Sequence, residues 1–284
     1  LVASEGGRRT LLTIAGERTW HNGAVNECKL CHNAGSGFVL GFEPSQLALT
    51  KDDRQLHDLI ERGILADDFS SPTANARLVD PWNGSQDIND RARSYLHGNW
   101  AMCHHPGGNA IVSFYLSREL PFAELRTDKG TGIGTFGLRD AKLIVPGDPY
   151  RSVLMYRMSK LGYSRMPYIG SYVVDGQGIA LMDEWIRGMP RNGSPSLPLQ
   201  PTSPAGKAIA SLSAGGAVGE TEWQHLLATT ESVLALAVTM HRNAGIGGDD
   251  AIFNAVRQQT NAIPSTDRRG LLETFLPENL RRLR

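Results

Sequence analysis

Cys28-Lys29-Leu30-Cys31-His32 is the stretch on which the reading of this chain turns, and Trp100-Ala101-Met102-Cys103-His104 is an altered second copy of it. Cys-x-x-Cys-His is the attachment sequence for a c-type haem. The two thiols add across the vinyl groups of the porphyrin, and the adjacent histidine offers a ring nitrogen to the iron. In the second copy Trp100 stands where the first cysteine would be, so at most one thioether can form there, at Cys103. The chain has three cysteines, and all of them lie in these two runs. None is left for a separate disulfide framework, which points to cysteine being used for a cofactor. Cys-x-x-Cys by itself also suits a redox dithiol or half of a zinc site. A zinc site would want two more thiolates or imidazoles at short spacing, and none follows His32.

The chain is 284 residues long, with 29 basic and 29 acidic side chains and a formal net charge of zero. That length suits one or two domains, and the balanced charge suggests neither nucleic acid nor an anionic membrane surface as a partner. No apolar run approaches the ~20 residues needed to span a bilayer. The most apolar stretch, 232–240, ends at His241-Arg242. Residue 1 is Leu and no secretory-signal pattern opens the chain, so it reads as a mature or cut product. Covalent haem attachment is completed outside the cytoplasm, so a periplasmic or extracellular location is expected.

The 31 glycines and 15 prolines are scattered along the chain. They predict short helices joined by long, defined loops, and hence a mainly α fold. Residues 11–20 read as a short strand or extended arm. Helices are predicted over 44–49 and 52–65, the second with Leu56, Leu59, Ile60 and Ile64 on one face and Gly63 near its end. Residues 70–84, with Pro72, Pro81 and Gly84, form a turn-rich connector. The expected divisions are 1–87 for an arm and the first motif, 88–189 for a second motif segment, 190–206 for a Pro/Ser/Gly-rich linker, and 207–284 for a helical tail.

Segment 88–189 has its own order. A helix over 90–100 delivers Cys103 and His104, and Pro106-Gly107-Gly108 stops it. Residues 130–137 are a glycine-rich loop. A helix over 149–160 follows, with Val153, Leu154 and Met158 inward, and then Arg165-Met166-Pro167 in extended form, because a residue before proline avoids the helical region. A closing helix over 178–188 carries Ile179, Met182, Trp185 and Ile186 on one face, with Met189 beyond. This is the layout of a class I cytochrome c domain, in which a loop methionine, here Met166, binds the far side of the iron. Met166 could instead be a gap-filling side chain. Its competitor, Met158, lies mid-helix where core packing is the simpler role. No methionine precedes Met102, so the group opposite His32 must be an imidazole, a residue of the second segment, water or nothing. His21, His57 and His97 are candidates with no ground for choosing among them. Beyond the linker there is no cysteine, and His225 and His241 lack ligand spacing. Helices over 221–241, 249–260 and 267–280, the last capped by Ser265-Thr266-Asp267, would form a small bundle or dock on the cytochrome-like segment or on a partner.

Ordered short motifs over residues 11 to 189 resemble one family. Trp20, Cys28-Lys-Leu-Cys-His32-Asn33, Val39-Leu-Gly-Phe42 and Gln46-Leu47 are similar to the first haem motif of bacterial extracytoplasmic dihaem c-type cytochrome domains. These domains are fused to, or encoded beside, quinoprotein sugar dehydrogenases. Arg91-Ala-Arg-Ser-Tyr-Leu96, Asn99, Cys103-His104 and Pro106-Gly-Gly108 resemble that family's second motif, as do Val145-Pro-Gly-Asp-Pro149, Arg151-Ser-Val-Leu154 and Arg165-Met-Pro167. The resemblance implies haem at both sites, with His104 and Met166 as the axial pair of the second. The chain departs from the family at Trp100, which puts the double covalent link in question. Residues 268–277 are faintly similar to a linker of large multihaem proteins of planctomycete-like bacteria, which implies that the chain is one piece of a longer polypeptide or assembly.

The expectation is therefore electron transfer by two haem c groups. The first is held by Cys28, Cys31 and His32, and the second by Cys103 through one thioether, with His104 and Met166 as axial ligands. Single electrons would pass between a dehydrogenase or larger redox complex and another carrier. Arg165 is either a partner for haem propionates or a plain surface cation. A dihaem peroxidase-like enzyme and a structural subunit with a decayed site at Trp100 are the rival readings.

Overall fold

Short apolar stretches interrupted by Gly and Pro produce short elements: among the described residues the chain folds as eleven α-helices and one two-stranded hairpin. The computed structural model describes residues 8–13, 17–34, 37–40, 43–48, 54–66, 68, 72–110, 112–132, 134–191, 199–244 and 250–276. The fold is mainly α, as expected. No helix among the described residues is long and apolar enough to cross a membrane. The chain divides into two compact units, Leu1–Arg126 and Thr127–Arg284, so the division falls inside the 88–189 segment.

In the first unit the arm expected over 11–20 is an antiparallel hairpin of β1 (Arg8–Thr13) and β2 (Glu17–Asn22), with Arg8 opposite Asn22 and Thr13 opposite Glu17. Three short helices follow, α1 (Val25–Cys31), α2 (Pro44–Leu47) and α3 (Arg54–Glu61). α3 ends at Glu61, short of the predicted 65, because the chain turns at Gly63. Gly63 takes a left-handed φ of 67°, its N–H reaches Ile60 O, and the Ile64 N–H reaches Leu59 O, satisfying carbonyls that the last turn leaves open. α4 (Ile88–Leu96) starts at Asp87, whose carboxylate accepts from the N–H groups of Asn89 and Asp90. It then widens into a π-helical turn, His97–Ala101. Arg93 is buried on α4, and its Nη2 donates to the carbonyls of Ser117, Arg118 and Leu120 at 3.0, 3.1 and 2.6 Å. Burial, and then the nearby Arg118 cation, pull the Arg93 guanidinium down to about 10. One cation thus fixes the loop that returns toward the second motif.

The second unit is organised by α9 (Thr230–Ala244). Val233, Leu234, Ala235, Leu236, Ala237 and Val238 are all buried, so this helix is apolar all round and must be covered on every side. α6 (Gly176–Gly188), α7 (Pro204–Ser213), α8 (Glu220–Leu227) and α11 (Thr266–Leu272) cover it. The helices of residues 207–284 pack on one another around α9, as in the expected bundle, and α9 also packs on α6 of the segment before them. α6 is tied to α9 by Asp183, buried, which pairs with Arg187 at 2.7 Å and with Arg242 at 2.9 Å. The predicted helix 221–241 is broken in two, because Thr229 Oγ1 accepts from the Ser232 N–H and starts α9 afresh. α7 was not predicted, although Ser203-Pro204 is an N-cap followed by an N1 proline, and Ser203 Oγ accepts from the Gly206 N–H at 3.0 Å. α10 (Asp250–Thr260) matches its prediction within a residue. α11 begins at its predicted cap, Ser265, and passes into a 3-10 turn, Glu273–Phe275; residues 277–280 of that prediction lie outside the described residues.

Two close approaches in this unit have measurable consequences. A Cβ on Gly176 would stand 2.6 Å from the His241 carbonyl oxygen, so only glycine lets the start of α6 meet the end of α9. Gly176→Ala should cost about 1–3 kcal/mol, read as a lower urea midpoint. His241 itself is buried, stacks on Phe275 at 4.5 Å between ring centroids, and donates from Nε2 to Ser159 O at 3.3 Å. Burial pushes its imidazolium down to about 4 from 6.5. The folded value lies below the unfolded one, so the unfolded chain takes up the proton first. Stability is complete above pH 6.5 and is lost as pH falls toward 4, by roughly 3 kcal/mol at the limit. His241→Gln, which keeps a donor and does not titrate, should flatten the dependence of melting temperature on pH across this window. An unchanged slope would show that other groups carry it.

Candidate functional site

The five motif residues Cys28, Cys31, His32, Cys103 and His104 all belong to the first unit, and the fold brings the two motifs to one place. Cys31 Sγ and Cys103 Sγ are 3.4 Å apart, although 72 residues separate them in sequence. A second tie lies beside them, where Asn109 Nδ2 donates to Leu30 O at 3.4 Å. None of the three cysteines is in a disulfide; Cys28 is exposed, while Cys31 and Cys103 are half-buried. Burial, and then the neighbouring Cys31, raise the Cys103 thiol to about 12, so it stays protonated at neutral pH.

α1 carries the first motif. Its seven residues bury no side chain, and a helix this short has little stability of its own. Its ends are held locally: Glu27 accepts from the Ala24 N–H at 2.7 Å, and Asn33 Nδ2 donates to the carbonyls of Leu30 and Cys31. The His32 N–H closes the last helical bond to Cys28 O. The exposed His32 ring donates from Nδ1 to Phe38 O at 2.9 Å. A carbonyl can only accept, so the proton sits on Nδ1 and the Nε2 lone pair is the one a metal would take. Such an outer hydrogen bond is what fixes the tautomer of a ligating histidine. On α1 and the loop that follows it, Val25, Leu30, Phe38 and Val39 are all exposed. The donor set of two thiols and an oriented imidazole is of the type that holds a haem.

The second motif is built differently. The π-helical turn buries Trp100, 3% exposed, and the chain then turns through Cys103 to His104, 6% exposed. The His104 ring stacks on Phe114 with centroids 4.2 Å apart, and Trp100 lies 6.1 Å from it on another side. The Trp100 Nε1–H is buried without a hydrogen-bond partner among the described residues, an exception to the usual pairing of buried polar atoms. The helical turns end at Ala101, ahead of the predicted stop at Pro106-Gly107-Gly108, where the Gly108 N–H donates to His105 O at 2.9 Å. A Cβ on Gly108 would collide with the Cys103 carbonyl, and the Ala110 N–H donates to that same oxygen at 3.2 Å. Cys103 and His104 fit a singly attached haem by donor type, while Trp100 and Phe114 pack their surroundings tightly.

The other candidates separate cleanly. His97 accepts the Arg118 N–H on Nδ1 at 3.0 Å and faces Ser45 Oγ and Glu43 Oε2 with Nε2 at 3.4 and 3.5 Å. Both nitrogens are thus engaged in holding α2 and the loop after residue 117. Burial works to raise the Glu43 carboxyl, but the hydrogen bonds from His97 and Ser45 outweigh it and hold it below its ordinary value. His57 is exposed on α3. His21 lies on β2, where the side chain is outside the described residues. Among the described residues no group of three or more His, Cys, Asp or Glu side chains is arranged to hold a metal ion, which gives the zinc reading no support.

Met166 lies in the second unit, in the loop between α5 (Val153–Met158) and α6, half-buried, with its N–H on Arg157 O at 3.1 Å. Arg165 stacks against Tyr168 and Tyr172 at 5.8 and 5.0 Å and donates to Ser171 Oγ at 3.2 Å. It therefore organises its own loop, a role the sequence did not single out. Met158 is buried on α5, in keeping with core packing. Two neighbours that matter, Phe38 through its carbonyl and Phe114 through its ring, lie in loops with no periodicity to mark them. No family model, curated protein or solved structure matches the chain.

Proposed function

We propose that the chain is an extracytoplasmic electron-transfer protein of the class I cytochrome c type, carrying covalently attached haem. The observation that carries this reading is the first motif: two thiols on one exposed helix, an imidazole held by Phe38 O with Nε2 left for iron, and exposed apolar side chains on that helix and the loop after it. Haem, when bound, supplies a one-electron couple, and the protein tunes it through axial ligand, burial and hydrogen bonding. Cys28 and Cys31 would anchor the first group, and His32 would bind its iron. Cys103 and His104 would hold a second, Cys103 through one bond, and Met166 is the further ligand that the resemblance implies. The 3.4 Å separation of Cys31 and Cys103 supports two attachment points in one small region, which suits a relay of single electrons. A dehydrogenase or larger redox complex would be the donor and another carrier the acceptor.

A one-haem protein is the second reading, favoured by the burial of Trp100 and the packing of His104 on Phe114. The two readings separate at Trp100. If Cys103 alone anchors a haem, one vinyl group stays conjugated, and the reduced pyridine adduct absorbs to the red of an ordinary c-type haem beside the normal band of the first site. Trp100→Cys should then bring the second band to the ordinary position, and Trp100→Ala should loosen that haem by removing a large buried contact. A single ordinary band in the wild type, unchanged in both variants, would support one haem.

A further inference from the structure

We propose that Cys31 and Cys103 form an intramolecular disulfide in the chain before anything is attached to them, locking the two motifs together. Two independent contacts point to this pair rather than to the nearer-in-sequence Cys28 and Cys31. The sulfurs of Cys31 and Cys103 are already 3.4 Å apart, and the Asn109–Leu30 hydrogen bond holds the two backbones together beside them. Both residues stand where their backbones are fixed. Cys31 ends α1, with its carbonyl bound by Asn33. Cys103 is held by its N–H on Trp100 O and by Ala110 on its carbonyl. Cys28 lies one turn back on α1 and is exposed.

The step takes a disulfide-bearing oxidant, either a small-molecule disulfide or a dithiol–disulfide protein. The oxidant's S–S bond breaks, and one S–S bond forms between Cys31 and Cys103. The hydrogens of the two thiols end on the oxidant, which leaves as two thiols. Closing a loop of this length restricts the unfolded chain more than the folded one, so the oxidised chain is the more stable. In the terms of the proposed function, on which this consequence rests, a sulfur held in the disulfide cannot add to a vinyl group. Cys28 would be the one thiol left, and attachment at both motifs would wait on a reductant.

The test uses the full chain produced without haem attachment, reduced and then exposed to oxidised glutathione, with remaining thiols blocked and peptides mapped after digestion. The expected result is loss of two of the three reactive thiols, a linked peptide pair containing Cys31 and Cys103, and Cys28 recovered as the blocked residue. Cys28→Ser should form the same link to the same extent. A link between Cys28 and Cys31, a link between Cys28 and Cys103, or three thiols still reactive would each overturn the proposal. Haem attachment is scored separately, by the mass of the chain purified from a host that attaches c-type haem. A missing disulfide therefore leaves the haem reading standing, and missing haem leaves the disulfide standing.

Discussion

Met166→Ala is expected to lower the reduction potential of one haem and to remove the weak thioether-to-iron absorption of its ferric form, leaving the other haem unchanged. A thioether is a soft ligand that favours ferrous over ferric iron, and axial ligands command a span of about 0.8 V across haem proteins. Loss of one should therefore register as a large displacement of one wave in a two-haem titration. The loop around Met166 gives reason to expect that it survives the change. Arg165 holds it through the Tyr168 and Tyr172 rings and through Ser171 Oγ, none of which touches the altered sulfur's role. Met158→Ala is the matched control. Met158 is 6% exposed on α5, so its truncation should cost about 2–5 kcal/mol of stability and leave both haem spectra as they were. If instead Met158→Ala removes the thioether band and Met166→Ala does not, the assignment is reversed.

The largest loss of stability is expected from Asp148→Ala. Val145 to Ser152 folds into a knot in which Asp148, 1% exposed, accepts from Arg151 Nε at 2.7 Å and from the Tyr150 N–H at 3.1 Å. Ser152 Oγ donates to Asp148 O and accepts from the Val145 N–H, both at 2.9 Å. Gly147 takes a left-handed φ of 74° to close the turn. Arg151 is itself buried, and its other close carboxylate, Asp140, stands 3.9 Å away. Removing Asp148 would leave a guanidinium in the core without its main counter-charge, a loss of about 3–5 kcal/mol against a typical total of about 5–15 kcal/mol. Asp148→Asn, which keeps an acceptor for Tyr150, should cost less. Urea unfolding of the two variants checks the order; equal costs would place the effect in the ion pair rather than in the turn.

The same knot shows what the sequence could and could not convey. Its residues read as a recognisable motif, yet nothing in their order says that Asp148 and Arg151 face each other inside the protein. The Ser265 cap and the Gly63 turn are legible, because each acts on neighbours a few residues away. The break at Thr229 and the helix after Ser203 carried the same kind of signal and were passed over. The apolar run 232–240 was visible, but its place as the hub of the second unit depends on the four helices that cover it, α6, α7, α8 and α11. The haem-type motif was plain from five residues. The meeting of Cys31 with Cys103, the engagement of His97 on both nitrogens, and the stacking of His104 on Phe114 depend on long-range packing that no local period reports.

Covalent haem is tested most directly by the intact mass of the denatured chain, purified from a host that attaches c-type haem. The account predicts the polypeptide plus two haem groups, with one on the peptide containing Cys28 and Cys31 and the other on the peptide containing Cys103. A chain with the mass of the bare polypeptide, and no haem retained after denaturation, would contradict it.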